Sequence, residues 1–204
     1  MEEKNYTGII PDHHTGKIID TEETVELNSS EEARAFFQTV KSRLLQVNGW
    51  HQLAGALSAT FQLVDPNGQE VNREVQQGDY FKIDIPGPGP SAGDGYDWVK
   101  VEEVQQVAEG EVESVGIRVR PAPSPLNQDK NVAHFYSPES TSNFTVTREG
   151  KKITVGIYDR NTKPNTEVDS VTDKLRDTTV GAGAVAAFSK VQWKNLATGL
   201  LKNP

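Results

Sequence analysis

The residues of this chain suited to chemistry by type are its four histidines, a tryptophan–histidine pair at Trp50-His51 and several strand-borne arginines. Asp12-His13-His14 offers imidazole and carboxylate, the usual ligands of a hard or borderline metal. Adjacent histidines on an extended chain point apart, and His51 and His134 are remote in sequence. The triplet therefore reads as a solvated arm, and no metal site is expected. Thr15-Gly16-Lys17 lacks the glycine spacing of a phosphate loop. Gly87-Pro88-Gly89 with Ala92 imitates a dinucleotide fingerprint, but that motif must open a helix so that backbone amides meet a pyrophosphate. Here the segment runs into another strand pattern, and its prolines remove donors, so no cofactor is implied. With no cysteine in the chain, thiolate nucleophiles, zinc–thiolate sites and disulfides are excluded.

Three sets of residues keep two readings each. Arg118 and Arg120 share one face of a strand, either on a solvent face balanced by Glu102 or Glu113, or inside a cavity as a fork for carboxylate or phosphate. Arg148 and the run Tyr158-Asp159-Arg160-Asn161 carry the same ambiguity between a polar cluster at a cavity mouth and a satisfied surface network. Trp50 either seals the core or stacks on a ligand, and His51 is a proton shuttle only if something orients it. Glu102-Glu103 is expected to alternate faces, which prevents the pair from sharing a proton. No nucleophile elbow marks any serine.

The elements that must position these residues are legible from period. Thr24–Leu27 reads as a short first strand. Ser29 and Glu32 form a capping box, after which Ala33, Phe36, Phe37, Val40 and Leu44 recur at helical spacing. Asn48-Gly49 is expected to end that helix with a left-handed glycine cap. Alternation then marks strands at Leu57–Leu63, Phe81–Ile85, Val99–Val101 and Val115–Val119. A hairpin carries Phe144–Val146 and Ile153–Ile157 about Gly150, and Asp65-Pro66-Asn67-Gly68 supplies a turn. Such alternation implies an antiparallel sheet with one face wet. Pro121–Thr141 and Asp159–Val168 are long connections of the kind that form lids. Asp169–Leu201 reads as a closing helix with Val185, Phe188, Val191 and Leu196 on its apolar face. Gly181 and Gly183 interrupt it, as close-packing residues or as a gating hinge.

A strand, a helix running from Ser30 to Val47, the Gly49-Trp50-His51 turn, meandering strands and a terminal helix together resemble the START-like, or Bet v 1-like, helix-grip superfamily over about residues 22–202. The entry into the first helix, Leu27-Asn28-Ser29-Ser30-Glu31-Glu32, contributes to that likeness. The resemblance implies an α+β fold, a curved antiparallel sheet of about six to seven strands gripping a long C-terminal helix with a cavity between them. It also implies binding of lipids, hormones or polyketides, with cyclase activity in a few members. It carries over no catalytic residue.

These readings give an N-terminal arm over residues 1–21 and one helix-grip domain over 22–204. The expected function is binding of a small hydrophobic molecule, with walls from Phe61, Phe81, Ile117, Phe144, Ile157 and Phe188 and a rim from Tyr96, Asp97 and Trp98. The alternatives are a cyclase or hydrolase built on His51, Tyr158 and Arg160, and an interaction module with a filled core. A formal charge of -8 opposes a nucleic-acid footprint, which needs a basic stripe. The start of the chain lacks the pattern of a secretory signal and no run approaches the ~20 apolar residues of a membrane span. A cytoplasmic location is the matching expectation.

Overall fold

The computed structural model describes residues 4–55, 58–85, 90–165 and 179–202, with the side chains of 179–188 excepted. Its centre is a seven-stranded antiparallel sheet in the order β1-β7-β6-β5-β4-β3-β2. The strands are β1 (Lys17–Glu26), β2 (Thr60–Val64), β3 (Tyr80–Asp84), β4 (Asp97–Glu109), β5 (Val112–Pro121), β6 (Thr141–Glu149) and β7 (Lys152–Thr162). Among the described residues, three α-helices stand against it: α1 (Ser30–Leu45), α2 (Trp50–Ala54) and the closing helix, α3 (Thr179–Leu200). The meander from β2 to β7 joins neighbours in sequence, while β1 returns to pair with β7 at the far edge.

Local chemistry sets the helix limits. The Ser29 hydroxyl accepts from the Glu32 amide at 3.1 Å, and the Glu32 carboxylate accepts from the Asn28 amide at 3.1 Å. The box thus closes one residue earlier than its usual reciprocal form. Gly49 does not act as a left-handed cap. Its φ is -88°, and a 3-10 turn over Val47–Gly49 carries the chain directly into α2. The left-handed position falls at Gly55, φ 95°, which ends α2. Asn48 ties this corner to the sheet, since its side chain accepts from Leu63 N and donates to the Val71 carbonyl.

The inward rows are the apolar ones: Phe61 and Leu63, Phe81 and Ile83, Val99 and Val101, Val115 to Val119, Phe144 and Val146, and Ile153 to Ile157, all buried. Leu196, Ala197 and Leu200 of α3 join the same core. The phase of α3 differs from the expected one, because Val191 is 61% exposed while Ser189, Gln192 and Leu196 are buried. What Gly181, Gly183, Val185 and Phe188 touch lies outside the described residues.

The outer face of the central strands is not wet. It presents Ser114, Gly116, Thr145, Thr147, Thr154 and Tyr158, and residues 4–16 run across it. Ile9 and Ile10 are buried there beside Tyr158, and a side chain at Gly116 would overlap Ile9. Lys4 and Tyr6 bond Glu149 at one end of this arm. At the other, the Asn161 side chain accepts from the amides of His14 (2.9 Å) and Thr15 (3.1 Å). Asn161 takes φ 57° to do so, a left-handed conformation asparagine tolerates better than most residues. The first strand accordingly begins at Lys17, well before the expected Thr24.

Candidate functional site

Among the described residues, aromatic rings occupy much of the space between the sheet and α3. Trp50, held by its indole N–H to the Leu44 carbonyl at 3.1 Å, is fully buried. Its ring centroid lies 4.8 Å from Phe144, 5.3 Å from Phe61 and 5.7 Å from Phe81. Trp193 of α3 meets Phe144 edge-on at 5.2 Å. Such tilted contacts favour the ring quadrupoles as well as burying apolar area. Trp50 therefore belongs to the core.

Beside this cluster a slot remains, with a cavity volume of about 40 Å³. Phe61, Phe81, Ile83, Val99, Val119 and Phe144 form its sheet wall, Ser189, Gln192 and Trp193 its helix wall, and His134, Phe135 and Tyr136 its outer lip. The lip belongs to the long β5–β6 connection and is well anchored. Asp97 accepts from the Phe135 amide at 3.0 Å, and the Asn165 side chain donates to the carbonyls of Val132 and His134, both at 3.0 Å. His134 stacks on Phe135 at 4.3 Å.

Ser142 and Tyr136 bring polar groups to the slot's lining, and Asp159 lies next to them, outside that lining. Asp159 continues the inward row of β7 and faces Ser142 across the β6–β7 ladder. One of its oxygens, Oδ2, accepts from the Trp193 indole N–H at 2.9 Å. Oδ1 is buried without a hydrogen-bond partner, as is the Tyr136 hydroxyl, which approaches Ser189 without forming a well-made bond. Burial pushes the Asp159 carboxyl up to about 6, against the lowering effect of its Ser142 and Trp193 neighbours. Burial, with the Asp159 charge second, pushes the Tyr136 hydroxyl up to about 12.

Of the expected walls, Phe61, Phe81 and Phe144 line the slot. Ile117 and Ile157 are buried in the core away from it, and the side chain of Phe188 lies outside the described residues. The expected rim is not a rim. Asp97 and Trp98 are each 1% exposed. Trp98 packs with Val64, Ala92 and Ala133 in a small outer cluster, and Tyr96 lies under the Lys82 ammonium, 4.3 Å from its ring centroid.

The arginine pair is on the outer face, not in a cavity: Arg118 bonds Glu103 at 2.7 Å and Arg120 bonds Glu102 at 2.5 Å. Both carboxylates reach that one face because a bulge between Val101 and Glu103 breaks the alternation. Arg148 is fully buried on the inward face and bonded to Glu113 and Glu111. The enzyme constellation is not assembled either. His51 pairs with Ser58 at 3.2 Å, while Tyr158 and Arg160 face outward to Glu22 and Asp20. Among the described residues no three His, Asp or Glu side chains converge on a metal-sized site, and no helix is long and apolar enough to cross a membrane.

Of Tyr136, Asp159 and Trp193, only Asp159 was singled out by sequence, as part of the run Tyr158-Asp159-Arg160-Asn161. Two of them had a readable signal: Asp159 is the next inward position after Ile153, Val155 and Ile157, and Trp193 shares helical spacing with Leu196 and Leu200. Tyr136 had none, since it lies in an aperiodic loop.

No protein-family profile matches the chain, and no curated protein matches it in sequence. Among solved structures, a hypothetical protein from Helicobacter pylori superposes with a TM-score of 0.51 over 97% of each chain at 14% identity. A major latex-like protein from Panax ginseng (15% identity, 84% of this chain and 97% of that one) reaches a TM-score of 0.36. Norcoclaurine synthase from Thalictrum flavum (11% identity, 95% and 100% coverage) reaches 0.34; both scores are too low to bear on this chain. With a seven-stranded antiparallel sheet wrapped around a C-terminal helix, the architecture is that of the START-like, Bet v 1-like helix-grip fold.

Proposed function

We propose that the protein binds a small, largely apolar molecule between the sheet and α3. The observation that carries this reading is the contrast within the slot: aromatic and aliphatic walls, with a few polar side chains among them and the Tyr136 hydroxyl buried without a hydrogen-bond partner. Apolar walls supply affinity, and a few fixed polar groups supply orientation. At about 40 Å³ the cavity has room for a water or two, whereas ligand pockets run to ~300–1,000 Å³. Ligand entry must therefore widen the slot. No reaction is part of this proposal.

The small volume and the buried Trp50 favour a second reading, a protein-interaction module with a solid core. Native mass spectrometry of freshly purified protein, followed by thermal shift against lipids, aromatics and polyketide-like compounds, separates the two. Ligand binding predicts a retained small molecule or a Tm rise of several degrees at about 100-fold excess over Kd. The Trp50→Ala variant supplies the contrast. It is expected to lose about 3–5 kcal/mol of stability and to leave a cavity joined to the slot. Uptake of apolar probes by Trp50→Ala alone, with an unresponsive parent protein, overturns ligand binding in favour of the solid core.

A further inference from the structure

We infer that the free edge of β1, where it borders α3, takes an extended basic segment of a partner protein as an eighth strand of the sheet. The site is separate from the slot and does not depend on it.

β1 ends the strand order and has β7 on one side only. The Leu27 amide donates to the Lys151 carbonyl at 3.0 Å, which sets the parity of the ladder, because residues of an antiparallel pair alternate between hydrogen-bonded and non-hydrogen-bonded positions. Thr21, Glu23 and Val25 turn their backbone groups to β7. Those of Asp20, Glu22, Thr24 and Glu26 therefore point away from it. Such a row of amides and carbonyls is a template for another strand. Beyond the row lies an open groove of about 480 Å³, walled by Asp20–Glu23 of β1 and by Lys190, Val191, Lys194 and Asn195 of α3. Four consecutive strand residues belong to both faces, so the groove follows the edge.

What fills the groove follows from its two sides. On the outer face stands an acidic row, Asp20, Glu22 and Glu26, whose partners Arg160, the Tyr158 hydroxyl and Lys152 all lie on the β7 side. An added strand with Lys or Arg on that face meets the row from its other side, and opposite charges across strands are favourable while like charges are not. A second copy of β1, paired antiparallel, would set acid against acid in each central register, with Glu22 on Glu22 or Asp20 on Glu26. The occupant is therefore a different, basic chain. On the inner face Thr21 is 6% exposed, and its hydroxyl has no hydrogen-bond partner among the described residues. A threonine opposite it supplies one. β-Branched neighbours of that threonine would lie on the exposed Val191 and on the alkyl stems of Lys190 and Lys194. The segment thus alternates basic and β-branched residues.

The test titrates the full chain with the end-capped peptide Lys-Val-Lys-Thr-Lys-Val-Lys and with Val-Lys-Lys-Thr-Lys-Lys-Val, which keeps the composition and loses the alternation. The alternating peptide is expected to bind about 10-fold more tightly, and to lose about 10-fold in Asp20→Asn/Glu22→Gln. Hydrogen exchange supplies a readout that needs no variant. The alternating peptide should slow exchange at the amides of Glu22 and Thr24, which face the groove, and leave those of Glu23 and Val25 unchanged. Equal binding of the two peptides, or binding without that protection, would reduce the effect to charge attraction and overturn the inference. Failure of both to bind would mean that the acids only guard the edge against pairing. Protection of the same amides by raising the protein concentration alone would overturn it in favour of a second copy.

Discussion

Asp159 places a carboxylate where the inward row of β7 would otherwise continue Ile153, Val155 and Ile157 with a fourth apolar side chain. The consequence for stability runs opposite to that of a salt-bridged aspartate. In the folded protein the group holds its proton up to about pH 6, whereas in the unfolded chain it releases it near ~4. Between these values the folded state binds more protons, so stability falls as pH rises and levels off above about 6. Below both values the group contributes no slope. Two pKa units correspond to roughly 3 kcal/mol at most. Asp159→Asn removes the charge but keeps an acceptor for Trp193. It is therefore expected to gain about 1–3 kcal/mol near pH 8 and almost nothing near pH 4. Urea denaturation at the two pH values checks this; equal differences at both would show that the carboxylate carries no burial penalty.

Among the elements, α3 shows what periodicity can and cannot specify. Its existence was legible, yet the apolar face was assigned to Val191, which is 61% exposed. The true contact face uses Ser189 and Gln192, where Gln192 accepts from the Ala59 amide at 3.0 Å. Polar residues that satisfy the sheet edge leave no hydrophobic signal. Strand existence was likewise legible from alternation, but strand length was not. β1 starts at Lys17 and β4 runs on to Glu109 because pairing with β7 and β5 extends them through polar residues. The slot's lip lies in an aperiodic loop placed by Asp97 and Asn165, partners distant in sequence. A further contact invisible to period is Gly199, where an added Cβ would overlap the Leu53 carbonyl of α2. Alanine normally improves a helix by up to ~1 kcal/mol over glycine. Here the overlap is with backbone, so α3 must shift, and Gly199→Ala is expected to cost about 1–3 kcal/mol. The exposed neighbour substitution Thr198→Ala should stay within about 0.5 kcal/mol. Equal effects at the two positions in urea titrations would mean that α2 and α3 are not in close contact.

At the scale of the whole molecule, the sheet is covered on both faces, by helices inside and by the N-terminal arm outside. Sequence favoured a free arm because residues 4–16 show no period. A single-pass strap needs none, since it meets the sheet at separate points. Those points are Lys4 and Tyr6 on Glu149, Ile9 over Gly116, and the His14 and Thr15 amides on Asn161. The small outer residues of β5 to β7 make sense only with this cover, because larger side chains there would exclude Ile9 and Ile10. The arm should then be coupled energetically to the sheet, and a double-mutant cycle measures that coupling. Gly116→Val alone is expected to cost about 1–3 kcal/mol through overpacking against Ile9, and Ile9→Ala about 2–4 kcal/mol as a buried truncation. Because the valine occupies the space that Ile9 vacates, the double variant should be more stable than the sum of the two losses by at least about 1 kcal/mol. Additive losses would mean that the arm does not pack on the outer face. The slot lies on the other side of the sheet, so probe affinity in Gly116→Val should stay within about 2-fold of the parent, as expected for sites that share no side-chain partner.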